Sequence, residues 1–334
     1  MKISNLPLPI YNAAIAFGLL NPKIKFKSIK ITEGVSSDIW HVKTEIGLEF
    51  CIKRALKKLT VKEDWFAPVS RSNFEASYFK ACQNVNSKSF PKILGHDKKN
   101  YILAMEWFRP EKYILWKKKL LDISFDKKEA NLISNILNKK HSYFYDNSKF
   151  KTEFENDKTF YDIRIEPYII FTSNSYPEHK NYFVDAAKSL VSNKKTVIHG
   201  DFSPKNILIG PDFPVILDAE TACWGDPIFD LAFCNNHIIL KSILNSSNKK
   251  KYMLLSKEFI ETYISKINWE DKNSFIDRFL KLVPLLILAR LDGKSPIEYY
   301  QDKHVKKART LGLKVLDDKI KNINSFFSIW ENYV

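Results

Sequence analysis

Long apolar runs are missing from this chain of 334 residues. The longest, at residues 282–289, contains Pro284 and ends before Arg290, far short of the roughly 20 residues that span a bilayer. The apolar stretch 7–20 is broken by Pro9 and Asn12 and has no typical cleavage site, which predicts a short helix packed on the first domain rather than a signal peptide. We therefore expect a cytoplasmic protein without a membrane partner.

Cysteine is also scarce. The four cysteines, Cys51, Cys82, Cys223 and Cys234, show neither CxxC spacing nor the density of a disulfide framework. Their spacing predicts buried thiols in a reducing compartment and no cysteine-based metal site.

Acidic residues are too few to balance the basic ones, and the formal net charge is +15. Of the 53 basic residues, 46 are lysines, which are scattered along the chain among many asparagines and isoleucines. This pattern favours a compositional bias over a nucleic-acid groove, with some general attraction to anionic substrates as the lesser alternative. No specific nucleic-acid partner is expected.

Periodicity divides the chain into a β-rich part and a helical part. Short segments rich in β-branched and aromatic residues predict the first strands, while apolar residues at helical spacing dominate after Pro110. We expect an α+β protein with a small first lobe at 1–108 and a larger, mostly helical lobe at 109–334. The predicted strands are 25–32, 39–44, 48–53 and 101–105, and the predicted helices are 72–82, 130–144 and much of 254–330, interrupted near 293–296.

Segment 197–233 contains the chemically informative residues. An apolar strand leads to His199-Gly200-Asp201, Asn206 follows five positions later, and a second apolar strand ends at Asp218. Phosphoryl transfer to a hydroxyl needs a carboxylate that accepts the hydroxyl proton and oxygen ligands that hold Mg²⁺ against the phosphates. One such aspartate alone is more often a helix cap or a turn residue, but the ordered set favours a kinase site.

The motifs HGDFSPKNIL, LDAE and GDPIFDLAF resemble the aminoglycoside phosphotransferase family of small-molecule kinases, which includes choline kinases. The resemblance implies a bilobal protein-kinase-like fold, ATP and Mg²⁺ as cofactors and a hydroxylated small molecule as substrate. It implies Asp201 as the catalytic base and Asn206 and Asp218 as metal ligands. It also implies that His199 and Asp230 support the catalytic loop. Glu220 departs from protein kinases, and we expect it near the metal or the substrate.

The first lobe supplies residues for the nucleotide. Lys53 ends a strand as the phosphate-binding lysine of kinases does, and Glu75 in the following helix is its expected partner. Backbone groups of Glu106 and Phe108, after the strand 101–105, are expected to bind adenine.

The phosphate loop lacks the GxGxxG of protein kinases and reads Glu33-Gly34-Val35-Ser36-Ser37. Because the chain has only nine glycines, Gly34 within this motif indicates a functional turn. Gly34, Ser36 and Ser37 are predicted to contact phosphate, and a plain hairpin turn is the alternative.

Two segments of the helical lobe combine charge with aromatic residues and are candidates for binding the acceptor, one containing Arg164 and the other Arg290. Few acidic clusters occur in this lobe, which mildly favours a neutral or anionic hydroxylated acceptor. A nucleotide-binding pseudokinase or scaffold without turnover and, less strongly, a protein kinase remain alternatives. The sequence leaves open the acceptor, the choice between ATP and GTP, and the oligomeric state.

Overall fold

The computed structural model describes residues 6–32, 36–58 and 66–334. Its first lobe is built on an antiparallel sheet with the strand order β1-β2-β3-β5-β4. The strands are β1 (Phe26–Ile31), β2 (Ser37–Thr44), β3 (Glu49–Ala55), β4 (Ile93–Asp97) and β5 (Ile102–Glu106). Two helices accompany them, α1 (Leu8–Ala16) and α2 (Arg71–Asn86). The strands predicted in this lobe and the helix predicted at 72–82 are present. Strand β4 was not predicted, because its composition is polar.

Each face of this sheet is covered by one helix. Alternating residues of β2 and β3, among them Val42 and Ile52, are buried with Ile10 and Ala14 of α1 in a small apolar cluster. The segment 7–20 therefore forms a helix packed on the first lobe. On α2, Tyr78, Phe79 and Cys82 are buried in the larger core that continues into the second lobe. These buried side chains fix α2 against both lobes.

The second lobe is mostly helical and contains five short strands. They are β6 (Ile114–Leu115), β7 (Thr196–Ile198), β8 (Ile207–Ile209), β9 (Pro214–Ile216) and β10 (Cys223–Gly225). Its helices are α3 (Trp116–Leu121), α4 (Lys127–Phe144), α5 (Ser148–Glu153), α6 (Asp157–Phe160), α7 (Phe171–Ser173), α8 (Lys180–Ser192), α9 (Ile228–Leu244), α10 (Lys249–Ser265), α11 (Lys272–Asp292), α12 (Asp302–Asp317) and α13 (Ile323–Tyr333).

The core of this lobe is centred on α9, in which every residue except His237 and Leu244 is buried. Helices α10, α11 and α12 pack around it. Helix α11 ends at Asp292, and the N–H group of Gly293 donates to the Ala289 carbonyl oxygen (3.0 Å). The interruption predicted near 293–296 is thus the end of this helix.

A π-helix spans Tyr161–Ile170 and contains Pro167. Proline lacks an N–H group, so it cannot continue regular helical hydrogen bonding, and its ring displaces the preceding turn. The wider coil places Arg164 and Tyr168 in the core. A π-helix does not have the apolar spacing of an α-helix, so this segment was not predicted from the sequence.

Two short strand pairs carry the motif residues. Strand β7, paired with β10, leads into Asp201, and the β8–β9 hairpin lies between Asn206 and Asp218. The α+β prediction, with a β-rich first lobe and a helical second lobe, is confirmed. The proposed boundary between 108 and 109 falls in the connection between β5 and β6. Within the described ranges no helix combines the length and apolarity needed to cross a membrane.

Candidate active site

Asp230, in the first turn of α9, lies beneath the loop that carries the HGD motif. Its Oδ2 accepts a hydrogen bond from the His199 N–H group (2.7 Å) and its Oδ1 accepts one from the Gly200 N–H group (2.9 Å). These two bonds fix the backbone immediately before Asp201. The sequence predicted this supporting position for Asp230.

Two residues of α4 hold the Asp230 carboxylate from the opposite side. The Lys140 Nζ and the His141 Nε2 lie 3.0 and 3.1 Å from Asp230 Oδ2, and all three residues are fully buried. Burial opposes ionisation of this carboxyl, but Lys140 and His141 outweigh burial and hold its pKa well below the usual range. Burial lowers the pKa of His141 to about 3, so this imidazole is neutral and donates to Asp230.

Gly200 adopts a conformation that only glycine accommodates here. Its φ is 73°, and a Cβ atom at this position would lie 2.5 Å from the Thr221 carbonyl oxygen. His199 spans the site: its Nδ1 accepts from the Asp201 N–H group (3.2 Å), so its Nε2 donates to the Leu217 carbonyl oxygen (2.9 Å). Burial lowers the His199 pKa, which agrees with this neutral form. His199 therefore links the loop of Asp201 to the strand that precedes Asp218.

The Asp201 carboxylate is held by three side chains. Arg164 Nη2 lies 2.9 Å from Oδ1, while Lys205 Nζ and Asn206 Nδ2 lie 2.9 and 3.0 Å from Oδ2. Arg164 also donates from Nε to the Gly200 carbonyl oxygen (2.6 Å). Arg164, predicted as a substrate residue, thus lies directly beside Asp201.

Asp218 faces the first lobe. Its Oδ1 lies 2.9 Å from Lys53 Nζ, which in turn lies 2.7 Å from Glu75 Oε2. Burial opposes ionisation of the Asp218 carboxyl, but the positive charges of Lys53 and Lys205 hold its pKa below the usual range. Conversely, Asp218 and Glu75 outweigh burial and raise the pKa of Lys53. Lys53 thus contacts Glu75, its predicted partner, and also Asp218, which was not predicted to be its partner.

The donor atoms beside these residues suit Mg²⁺. Asn206 donates from Nδ2 to both the carbonyl oxygen and Oδ2 of Asp201, so its side-chain oxygen is left to accept. The ionised Asp218 carboxylate supplies a second oxygen and remains 31% exposed. In the described part of the chain no group of three or more His, Cys, Asp or Glu side chains could hold a metal alone. One carboxylate, an amide oxygen and nucleotide phosphates are nevertheless the surroundings that Mg²⁺ commonly has in kinases.

Arg71, at the start of α2, is a site residue that the sequence reasoning missed. Its side chain is fully buried, and its Nε lies 3.0 Å from Glu220 Oε2. Its Nη2 donates to the carbonyl oxygens of Ser36 (2.5 Å) and Leu56 (2.8 Å). Arg71 thus connects Ser36, immediately before β2, with Glu220, which lies two positions after Asp218.

We expect the Arg71→Met variant to be destabilised by about 3–5 kcal/mol, because Glu220 would remain buried without its partner. The free energy of unfolding from urea titration measures this effect. Arg54→Met, which replaces an exposed arginine on β3, is the matched control. Adding Glu220→Gln to Arg71→Met should recover part of the loss. A loss no larger than that of Arg54→Met would contradict a role for the Arg71–Glu220 pair in joining the lobes.

The remaining nucleotide candidates among the described residues lie at the start of β2 and at the end of β5. Ser37 begins β2 and is buried, Ser36 precedes it, and Gly34 lies outside the described residues. Glu106 ends β5, and its N–H group donates to the Lys92 carbonyl oxygen (2.9 Å), so a contact from Glu106 to adenine would use its carbonyl oxygen. Phe108 follows in the connection and packs edge-on against Tyr113.

Arg290 lies at the end of α11 and contacts Ser295 and Tyr168. Its Nη1 donates to the Ser295 carbonyl oxygen, to Ser295 Oγ (2.7 Å) and to the Tyr168 hydroxyl (3.5 Å). The ring of Tyr168 also lies 5.7 Å from the guanidinium carbon of Arg164. Tyr168 therefore lies between the two arginines that the sequence singled out.

Comparisons with known proteins show what this chain resembles in sequence and in fold. Residues 178–240, which include Asp201, Asn206, Asp218 and Asp230, match the family model described as APH, phosphotransferase enzyme family. A search of curated protein sequences finds no match to this chain.

Solved structures of several kinases share the fold. An ethanolamine kinase of Plasmodium vivax is 16% identical, with 96% of this chain and 94% of that chain covered and a TM-score of 0.58. A choline/ethanolamine kinase family protein of Mesorhizobium loti is 11% identical, with coverages of 97% and 98% and a TM-score of 0.55. A choline kinase of Cryptosporidium parvum is 11% identical, with coverages of 95% and 99% and a TM-score of 0.55. The bilobal kinase-like fold is thereby confirmed, and residues 178–240 resemble the phosphotransferase enzyme family.

Proposed function

We propose that this protein is an ATP- and Mg²⁺-dependent kinase that transfers a phosphoryl group to a hydroxyl of a small molecule. One observation carries the proposal: Asn206 contacts Asp201, Lys53 of the first lobe contacts Asp218, and the N–H group of Leu217, next to Asp218, donates to the Asn206 carbonyl oxygen (2.8 Å). The choline and ethanolamine kinases with the same fold support a small hydroxylated acceptor.

Each residue has a defined task in this proposal. Lys53, held by Glu75, orients the nucleotide phosphates from the first lobe. Asn206 and Asp218 would hold Mg²⁺, which would neutralise charge on the nucleotide phosphates. Asp201 accepts the proton of the attacking hydroxyl. Because Asp201 already has three side-chain partners, its main contribution is the orientation of this hydroxyl, which a loose phosphoryl-transfer transition state requires more than a strong base.

Lys205 is placed to stabilise the transferred group. Its Nζ bonds to Asp201, and the negative charges of Asp201 and Asp218 raise its pKa. In this proposal Asp201 orients the hydroxyl and Asp218 holds the metal. A cation between these two aspartates would lie where the phosphoryl group passes. Its side chain is 50% exposed, so a substrate can reach it.

The test is ADP release from MgATP across a panel of hydroxylated compounds, with GTP as a second donor. We expect Asp201→Asn to lower kcat about 10³-fold with nucleotide affinity retained, because the hydroxyl loses its acceptor. Asp212→Asn, an exposed change between β8 and β9, is the control. MgATP binding without ADP release under any condition would favour the pseudokinase alternative, and an Asp201→Asn variant within tenfold of the wild type would refute the assigned role.

A further inference from the structure

One face of α9 leads away from Asp201. Phe233, His237 and Lys241 are spaced by four residues and therefore share this face. The Phe233 ring lies 5.5 Å from the guanidinium carbon of Arg164, the partner of Asp201, and the His237 ring lies 5.3 Å from the Phe233 ring. At 1.5 Å per residue, the face extends about 12 Å from Phe233 to Lys241.

Basic side chains from three elements act electrostatically on His237 and Lys241 of this face. We call Lys117 of α3, His237 and Lys241 of α9, and Arg290 of α11 the basic cluster. Lys241 is only 2% exposed, and its Nζ donates to the His237 carbonyl oxygen (3.3 Å). Burial and the charges of Lys117 and Arg290 lower the pKa of Lys241 to about 7. Burial and the charges of Lys241, Arg290, Lys205 and Lys117 lower the pKa of His237.

The cluster has no balancing acid in the ranges that the structure describes. There, neither Lys117, Lys241 nor Arg290 forms an ion pair with a carboxylate, whereas the buried Lys53 and Lys140 each have one. The Nε of Arg290 is buried and has no hydrogen-bond partner among the described residues. A buried ammonium group is unfavourable unless it is paired or neutral. Lys241 is therefore buried without a counter-charge, and an anion would supply one to its protonated form.

The cluster is open to solvent on one side. Lys117 is exposed, and His237 is half-buried, unlike nearly all of its helix. The charge of Lys205, which bonds to Asp201, also acts on His237, so the cluster and the proposed transfer site belong to one continuous electrostatic environment. Phe233, which contacts both the His237 ring and the Arg164 guanidinium, connects the cluster to the partner of Asp201.

We infer that the basic cluster binds a carboxylate or phosphate group of the acceptor whose hydroxyl is presented to Asp201. The inference rests on the proposed kinase function and specifies its substrate class: a hydroxylated anion of about the size of a sugar acid or sugar phosphate. A quaternary or primary ammonium acceptor would meet four like-charged or basic groups here. The acceptor class thus differs from what the names of the kinases with the same fold describe.

Anion binding can be measured without turnover. The probe is sulfate, titrated calorimetrically into nucleotide-free protein at constant ionic strength kept with chloride. Lys241→Met keeps the side-chain length and removes the buried charge, so we expect at least a tenfold rise in the sulfate Kd. Lys117→Met changes an exposed residue without disturbing the core and should raise the Kd severalfold. Lys188→Met, an exposed change on α8, should leave the Kd unchanged. Equal sulfate affinity in wild type, Lys241→Met and Lys117→Met would overturn the inference.

The affinity should also depend on pH. The charged groups that act on Lys241 are Lys117 and Arg290, together with the Cys234 thiol of its own helix. Because Lys241 must be protonated to bind an anion, sulfate affinity should fall as pH rises from 7 to 9, and binding should take up protons from the buffer. Lys241→Met should show a weaker dependence than the wild type. A wild-type affinity that is constant over this range would contradict the role of Lys241.

Turnover separates this inference from the proposed function. The acceptors glucose, gluconate, glucose 6-phosphate and choline are matched in having hydroxyls and differ in charge. Turnover confined to gluconate or glucose 6-phosphate would support the inference and show which anion is bound. Turnover confined to glucose or choline would overturn it and leave the kinase function intact. A protein that neither binds MgATP nor releases ADP would overturn the kinase function. The sulfate titration would still test anion binding by the basic cluster.

Discussion

The Asp218→Asn variant is expected to lose about 10²–10³-fold in kcat and to need more Mg²⁺ for half-maximal rate, because a ligand carboxylate becomes a neutral amide. The fold should persist. Lys53 keeps its ion pair with Glu75, so no buried charge loses its only partner. Initial rates of ADP release over a range of Mg²⁺ concentrations measure both effects.

The choice of asparagine is set by the backbone. Asp218 has a φ of 61°, in the left-handed region that asparagine and aspartate tolerate better than other side chains. Asp218→Ala would add backbone strain to the loss of the ligand, so its lower stability would complicate the interpretation. Asp212→Asn is again the matched control, since it removes one carboxylate from the same hairpin region at an exposed position. A kcat within tenfold of the wild type, with unchanged Mg²⁺ dependence, would show that Asp218 is not a metal ligand.

The site residues that the sequence could predict are those whose spacing is set by local structure. Asp201, Asn206 and Asp218 lie within 18 positions and are positioned by short strands, so their order alone indicates their chemistry. Lys53 and Glu75 follow from a strand and the helix after it. Arg71 and Glu220 are 149 positions apart, and Lys140 and Asp230 are 90 apart. Only the packing of α2 and α4 brings these partners together.

Arginine usage was a signal that could have found some of the missed residues. In a chain with 46 lysines, the seven arginines are conspicuous. A planar guanidinium can donate several hydrogen bonds at fixed angles, which an ammonium group cannot. Arg71 and Arg164 use this property at the site, and Arg278 uses it to bind Asp226 and Glu270 in the core. Lys241 gave no such signal, because its importance depends on burial and on neighbours from other helices.

The Asp230→Asn variant should lose about 3–5 kcal/mol of stability, because it leaves the Lys140 ammonium buried without a counter-charge. The amide keeps the size of the side chain, so a packing defect does not explain the loss. The free energy of unfolding at neutral pH, compared with that of the exposed control Asp185→Asn, measures it. The double variant Asp230→Asn/Lys140→Met should regain part of the loss, since it removes the orphaned charge as well.

Acidification provides an independent check on Asp230. Its pKa in the folded protein is held below the value of about 3.9 that aspartate has in an unfolded chain. The unfolded state therefore binds more protons at acidic pH, so the stabilisation by Asp230 is fully present above pH 4 and decreases as pH falls further. The difference in unfolding free energy between wild type and Asp230→Asn should narrow in that range. A difference that is small at neutral pH, or that does not change below pH 4, would mean that the buried charge of Asp230 does not hold the catalytic loop in place.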